Sequence, residues 1–209
     1  MENNFVITIG RQLGSGGLII GKRLAEIFNI KFYDSELLKL AAKESGICEE
    51  CFKDTDEHKK FDFLGRLFTL KTPADTYEWS SNNILSGESL FKVQSDIIKK
   101  LADDNSSVFV GRCADYILRD NPNCYSFFLT AELEDRIKRV SKNIKISEKE
   151  AMKLISHTDK KRAEYYNYYT NKNWGNSNSY NFCINTSILG IEDTVKCIMF
   201  FLEKINKKC

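Results

Sequence analysis

The fold of this chain is decided by the stretch Phe5-Val6-Ile7-Thr8-Ile9-Gly10-Arg11-Gln12-Leu13-Gly14-Ser15-Gly16-Gly17. The stretch opens with an apolar run that is typical of a buried β-strand, and a glycine-rich turn follows it. Beyond the turn, apolar residues recur at helical spacing, at Ile20, Leu24, Ile27 and Phe28. The order of strand, glycine turn and helix predicts a backbone whose N–H groups and helix N-terminus attract phosphate.

The turn lacks the side chains that complete the phosphate-loop pattern GxxxxGK[ST]. Gly17 stands where that pattern has lysine, and Leu18 and Ile19 stand where it has a hydroxyl residue. From the turn alone, two interpretations therefore stay open. It is either a phosphate-binding loop that relies on its backbone or a purely structural connection between a strand and a helix.

Short apolar strands and helices alternate along most of the remaining chain. Strands are predicted at 30–33, 108–110, 126–129 and 182–184. Helices are predicted after Ser35, at 89–102, 114–118 and 133–140, and in the amphipathic C-terminal segment. This alternation predicts an α/β fold with a parallel sheet covered by helices on both faces.

Two long segments interrupt the alternation. Residues of about 48–87 carry clustered charge and are predicted to form a helical insertion, while about 141–180 are predicted to form a lid, a flap rather than a core element. The core of this single domain then comprises 1–47, 88–140 and 181–209. The tyrosine cluster 165–169 has two interpretations, which are stacking of a base and packing of a lid helix on the core.

Composition and charge exclude several classes of protein. The 209 residues are 42% hydrophobic and 29% charged, as in an ordinary globular protein, and the formal net charge is only +2. This charge gives no reason to expect nucleic acid or a membrane surface as a partner. No apolar stretch is long enough to span a bilayer, and the N-terminal residues lack the positive region of a signal peptide. We therefore expect a cytoplasmic protein.

Cysteine and histidine usage does not predict a metal site. The seven cysteines are odd in number and scattered, which favours reduced thiols over a disulfide framework. Cys48 and Cys51 form a CxxC pair without a second pair, and neither His58 nor His157 has partners at metal-ligand spacing. We therefore predict no metal-ligating residue in the protein.

Six short motifs follow one another in a specific order. They are Ile7-Thr8-Ile9-Gly10-Arg11-Gln12 with Gly14-Ser15-Gly16-Gly17; Phe32-Tyr33-Asp34-Ser35-Glu36-Leu37-Leu38; Val110-Gly111-Arg112-Cys113-Ala114-Asp115-Tyr116-Ile117-Leu118; Phe127-Phe128-Leu129 with Arg136 and Arg139; Asp159-Lys160-Lys161-Arg162; and Ile184-Asn185-Thr186-Ser187. Each motif is ordinary alone, but the six in register are specific. Over nearly its whole length, the chain resembles the cytidylate kinase-like family, relatives of the P-loop nucleoside monophosphate kinases.

The resemblance implies a three-layer P-loop fold with a five-stranded parallel sheet of order 2-3-1-4-5, and ATP with Mg²⁺ as cofactors. It implies that the donor phosphates are bound by Gly14, Ser15, Gly16 and Gly17. It implies an acceptor site formed by Asp34, Ser35, Arg112, Asp159 and Arg162. The residues that would act on the transferred group are Arg11, Arg136, Arg139 and Arg162.

Several of these residues also have a simpler interpretation. Asp34 is equally a candidate helix N-cap. Arg136 and Arg139 lie three residues apart, so they either meet the donor phosphates together or belong to a solvated charged helix face. Arg112 is either a phosphate ligand or the exposed end of a surface strand.

The chain also departs from the family pattern. Cys113 follows Arg112 where the family has aspartate, and Asn185 replaces the aspartate after the last strand. The missing loop lysine removes the usual cation on the β/γ-phosphates, and Arg11 is the nearest candidate to replace it. The resemblance thus favours ATP-dependent phosphoryl transfer to a small-molecule nucleotide, a CMP-like monophosphate. The alternatives are a non-catalytic nucleotide-binding module and a kinase of another small acceptor.

Overall fold

The computed structural model describes residues 4–34 and 87–206, and every structural statement below concerns this part of the chain. Its strands are β1 (Val6–Arg11), β2 (Lys31–Tyr33), β3 (Ser107–Val110), β4 (Cys124–Thr130) and β5 (Phe182–Asn185). They form one parallel sheet in the order β2-β3-β1-β4-β5. The predicted parallel sheet and its strand order are confirmed.

The described helices are α1 (Gly17–Phe28), α2 (Gly87–Asp104), α3 (Ala114–Ile117), α4 (Leu133–Ile144), α5 (Glu148–Thr170) and α6 (Thr186–Asn206). A capping box starts α5: the Ser147 hydroxyl accepts from the backbone N–H of Glu150, whose carboxylate accepts from the N–H of Ser147. Helix α6 is kinked at Gly190, where φ is 73° and ψ is 178°. The kink separates a short first turn, which touches the glycine loop, from the long helix that packs on the sheet.

The sheet is buried on both faces, as its apolar strands require. Along β1, Val6 packs into a cluster with side chains of α2, α3 and α5. Its neighbours Ile7 and Ile9 pack on the opposite face with side chains of α1 and α6. All three side chains are essentially inaccessible to solvent. The molecule therefore has the three layers that the sequence predicts.

The segment 141–180 is not a peripheral flap throughout. Helix α5 spans most of it, and Tyr165 and Tyr166 on its last turns are only 8% and 4% exposed. The ring of Phe91 on α2 stacks on Tyr169 at 4.2 Å and meets Tyr165 edge-on at 6.3 Å. Burial of these rings makes the end of α5 part of the core, so the tyrosine cluster packs on the core in this structure. The predicted insertion at about 48–87 lies outside the described residues.

Two expectations concern absences. None of the helices in residues 4–34 and 87–206 is long and apolar enough to cross a membrane. The cysteines that the structure describes, Cys113, Cys124, Cys183 and Cys197, are free thiols.

Candidate functional site

The glycine loop places the start of α1 at the carboxyl edge of the sheet, where ligands of parallel sheets bind. Gly14 and Gly16 have φ values of 84° and 86°, in the left-handed region that residues with a side chain rarely adopt. Gly16 is the N-cap of α1, without a capping side chain, and the first turn contains no acidic residue. The first N–H groups of the helix therefore have neither a capping side chain nor a carboxylate from the first turn of α1, which suits an anion.

The loop also holds its own shape. The Ser15 hydroxyl donates to the carbonyl of Gln12 at 2.9 Å, and the Ser15 N–H donates to the same oxygen at 3.3 Å. The N–H of Gln12 in turn donates to Leu129 on β4 at 3.0 Å. Ser15 is fully buried. Its side chain therefore shapes the loop and does not face the crevice.

Arg139 and Thr186 form hydrogen bonds with backbone carbonyls of the glycine loop. One guanidinium nitrogen of Arg139 lies 3.3 Å from the carbonyl of Gly14 and 3.0 Å from the hydroxyl of Thr186. That hydroxyl donates to the carbonyl of Ser15 at 2.8 Å. Thr186 belongs to one of the quoted motifs, but sequence reasoning gave it no role, because spacing alone does not tell which loop a hydroxyl reaches.

Asp159 joins α5 to the loop and to two arginines. Its carboxylate accepts the N–H of Leu13 at 2.8 Å and lies 3.0 Å from the guanidinium of Arg136. Arg162 approaches the same carboxylate at 3.6 Å. Burial raises the pKa of Asp159, and the Leu13 N–H and the arginines oppose that rise. Arg136 is 6% exposed, so the alternative of a solvated helix face does not hold for it.

Three further charges meet at the strand ends beside the loop. Arg11 ends β1, and burial followed by the positive charges of Arg162 and Arg112 lowers its pKa to about 9. Asp34, which follows β2, and Asp159 act in the opposite direction. Arg162 donates to the carbonyl of Arg11 at 3.3 Å, and burial, then Arg112 and Arg136, lower its pKa against the effect of Asp159. Mutual repulsion of three cations in one crevice indicates that the crevice suits an anion.

Arg112 lies in an unusual turn after β3. Gly111, Arg112 and Cys113 are all left-handed, with φ values of 82°, 64° and 54°. Such conformations cost free energy in residues with a side chain and persist where the surroundings impose them. Arg112 is 8% exposed, so it is not the end of a surface strand.

A buried amide supports this turn. The side-chain amide of Gln94 on α2 donates to the Arg112 carbonyl at 3.3 Å and to the hydroxyl of Tyr165 at 3.2 Å. Gln94 is 1% exposed. A single glutamine in an amphipathic helix gives no sequence signal, so this contact could not be predicted.

The structure thus brings most of the predicted site residues to one edge of the sheet. They are Arg11, Gly14, Ser15, Gly16, Gly17, Asp34, Arg112, Arg136, Arg139, Asp159 and Arg162. Ser35 lies outside the described residues. Within this set, the side chains of Arg136 and Asp159 face each other, and that of Arg139 faces the loop carbonyls.

The residues present fit a chain of phosphates better than they fit a metal ion. The uncapped α1 terminus and the arginines match the chemistry of phosphate. Leu18 and Ile19 at the start of α1 carry no oxygen and are 43% and 51% exposed. No cluster of three or more potential metal-ligating side chains occurs within the part of the chain that the structure describes.

Comparison with solved structures finds proteins with a similar fold. An uncharacterised protein from Eubacterium ventriosum is 29% identical, with a TM-score of 0.72, covering 96% of this chain and 99% of that one. A shikimate kinase from Bacteroides thetaiotaomicron is 18% identical with a TM-score of 0.53, over 95% and 98% of the two chains. A gluconokinase from Sinorhizobium meliloti is 11% identical with a TM-score of 0.51, over 99% of each chain. The last two similarities concern the fold alone.

No curated protein gives a significant match to the chain. The family profile described as the cytidylate kinase-like family matches residues 6–188. That match includes the glycine loop, the Arg112 turn, Asp159 and Arg162. The chain has a P-loop kinase-like fold and belongs to the cytidylate kinase-like family.

Proposed function

We propose that this protein transfers the terminal phosphoryl group of ATP to a small phosphorylated acceptor, with CMP favoured. The observation that carries the proposal is the convergence of Arg11, Arg112 and Arg162 beside the uncapped N-terminus of α1. Phosphoryl transfer depends mainly on positioning and on positive charge around the transferred group. This arrangement supplies both.

The charge balance of the site supports a dianionic acceptor. Asp159 is compensated by Arg136, with which it forms a close ion pair. Among the described residues, the charges of Arg11, Arg112 and Arg162 are then opposed by one further carboxylate, that of Asp34, which acts on Arg11. The surplus of positive charge matches a phosphate monoester, which carries a charge of about −1.5 to −2 at neutral pH.

The same acceptor class simplifies the chemistry. The acceptor oxygen forms a bond to the terminal phosphorus of the donor while the bond to the bridging oxygen breaks, and ADP leaves with that electron pair. The oxygen of a phosphate monoester is already ionised at neutral pH, because its second pKa is about 6. An alcohol would instead require a residue to accept its proton. Asp159 is a poor candidate for that task, since its carboxylate is engaged by Leu13 and two arginines.

The family description and the composition complete the proposal. The family name favours a pyrimidine monophosphate such as CMP as acceptor. Any Mg²⁺ would arrive on the donor phosphates, which commonly hold this ion with few protein ligands. The free thiols of the described cysteines and the net charge of +2 agree with a cytoplasmic protein that does not bind nucleic acid.

One observation favours a different function. Gly17, Leu18 and Ile19 provide neither the usual cation nor the usual hydroxyl of a phosphate loop. A protein with this loop could bind a nucleotide without turning it over, as a sensor or interaction module. The number of arginines in the crevice speaks against this, because simple binding does not require several cations around the transferred group.

The test is an ADP-release assay across a panel of nucleoside monophosphates and small alcohols, with ATP and Mg²⁺. We expect turnover with CMP or another monophosphate and background release with alcohols. The Arg112→Ala variant should bind the monophosphate more weakly by about 1.5–3 kcal/mol, the free energy of hydrogen bonds to a charged group. ATP binding without turnover by any acceptor would refute the enzyme and leave the binding module. Turnover with an alcohol alone would refute the phosphorylated acceptor.

A further inference from the structure

The side chain of Arg11 extends from the glycine loop to the turn that contains Gly111, which its position in the sequence does not predict. Its stem passes Gly17: a β-carbon on Gly17 would lie 2.7 Å from Cβ and 2.9 Å from Cγ of Arg11. These distances are too short for any real contact between carbon atoms. Gly17 does not have a positive φ, so its backbone would accept a side chain. The stem of Arg11 therefore occupies the space that the side chain of the missing loop lysine would enter.

The other end of Arg11 reaches the acceptor side of the site. A β-carbon on Gly111 would collide with the guanidinium Nη1 of Arg11. Gly111 directly precedes Arg112, in the turn that the buried amide of Gln94 supports. One side chain thus extends from the donor loop at Gly17 to the acceptor turn at Gly111.

The guanidinium of Arg11 is available for a ligand. Across residues 4–34 and 87–206, it forms neither a hydrogen bond nor an ion pair, whereas Arg136 and Arg162 both pair with Asp159. Burial lowers the pKa of Arg11 most, the positive charges of Arg162 and Arg112 lower it further, and Asp34 and Asp159 partly oppose them. A structural arginine in the interior normally pairs with a carboxylate, and Arg11 pairs with none of the carboxylates that the structure describes.

We propose that Arg11 is the cation that contacts the transferred phosphoryl group between donor and acceptor, and that glycine at 17 makes room for its stem. This inference rests on the proposed phosphoryl transfer and assigns the residue that replaces the loop lysine. A planar guanidinium at this position can bind two oxygens of the phosphoryl group during its transfer. The loop thus has an arginine at position 11 in the space beside Gly17, where the usual pattern has a lysine at 17.

This replacement can be tested by reversing it. Arg11→Met keeps most of the stem without the charge, and we expect turnover to fall by at least about a hundredfold, as when one group that stabilises a transition state is removed. Gly17→Lys alone should be destabilised by its collision with Arg11. In the double variant Arg11→Ala/Gly17→Lys, the lysine enters the vacated space, and turnover should rise at least about tenfold above that of Arg11→Ala. Arg23→Ala, an exposed arginine on α1, is the matched control and should retain wild-type turnover.

A second measurement does not depend on turnover. A mixture of ADP, aluminium fluoride and CMP mimics the complex in which the phosphoryl group is transferred. The measured quantity is the rise in melting temperature with this mixture minus the rise with ADP alone. We expect Arg11→Met to lose this extra shift while keeping the shift with ADP, and Arg23→Ala to keep both.

Wild-type protein without turnover or mimic binding would overturn the proposed function and this inference together. If the wild type is active, and Arg11→Met keeps turnover within threefold of it together with the full melting-temperature shift, the inference alone is overturned. A double variant no better than Arg11→Ala would also overturn it.

Discussion

Asp115, at the first turn of α3, illustrates the free-energy balance of a single buried charge. Its carboxylate accepts a hydrogen bond of 2.8 Å from the hydroxyl of Tyr166. Burial nevertheless raises the pKa of Asp115, against the effects of this hydrogen bond and of Lys172. Burial in turn raises the pKa of Tyr166, so the phenol keeps its proton and remains the donor. The ionised carboxylate of Asp115 is therefore less stable in the folded protein than in water.

This shift has a definite sign in the pH dependence of stability. The unfolded carboxyl group ionises near its ordinary pKa of about 3.9, and the folded one ionises at higher pH. As pH rises between the two values, the folded state loses stability relative to the unfolded state. We expect Asp115→Asn to raise the melting temperature at pH 7, by an amount that shrinks as the pH falls towards about 4. A melting temperature below wild type at pH 7, or a difference independent of pH, would contradict this reasoning.

At the scale of elements, one ion pair joins α4 to α5 beside the glycine loop. The side chains of Arg136 and Asp159 are only 7% and 14% exposed, and the Nε of Arg136 has no hydrogen-bond partner among the described residues. Removing one partner of a buried pair leaves an unpaired buried charge, which costs more than the pair itself contributes. The two residues should therefore behave as a unit.

A double-mutant cycle measures this coupling. We expect Arg136→Met and Asp159→Asn each to lower the free energy of unfolding by about 3–5 kcal/mol. The double variant should be more stable than the sum of the two losses predicts, by more than about 1 kcal/mol. Urea unfolding followed by circular dichroism provides the three differences, with Lys160→Ala, an exposed residue on α5, as the control. Strictly additive losses would show that the pair does not couple α4 to α5.

The elements also show what a sequence can and cannot predict. The alternation of apolar runs was sufficient for the parallel sheet, because each strand is buried on both faces and reads as a continuous hydrophobic segment. The direction of long polar side chains was not predictable. The guanidinium of Arg139 bends back to the loop carbonyls and that of Arg11 reaches Gly111, although both were expected simply at the phosphates. The arginine side chain has several rotatable bonds, so spacing along the sequence does not determine where its guanidinium lies.

For the molecule as a whole, positive charge is concentrated at one site, while the overall net charge is close to zero. Thirty-one lysines and arginines nearly balance 29 aspartates and glutamates. An anion that stabilises this protein must therefore act at a site and not through the overall field. The arginine crevice is that site in our proposal, because the positive charges of Arg11, Arg112 and Arg162 act on one another there.

Pyrophosphate tests this expectation without any acceptor. A ligand at about a hundred times its dissociation constant stabilises a protein by about 2.7 kcal/mol, so saturating pyrophosphate should raise the melting temperature by several degrees. Sodium chloride at equal ionic strength should not, and Arg112→Ala should reduce the shift. Equal shifts in the wild type, in Arg112→Ala and with sodium chloride would assign the effect to general screening.

The central position of β1 also has a consequence for biosynthesis. Val6 aligns with Ser107 of β3 and with Cys124 of β4, so β1 pairs with strands that are synthesised roughly a hundred residues later. At typical synthesis rates of about 5–20 residues per second, its apolar residues wait roughly 5–20 seconds for these partners. Throughout that interval the nascent chain carries an unpaired hydrophobic strand, a natural substrate for chaperones. The glycine loop that follows β1 therefore becomes functional only after β3 and β4 have also emerged.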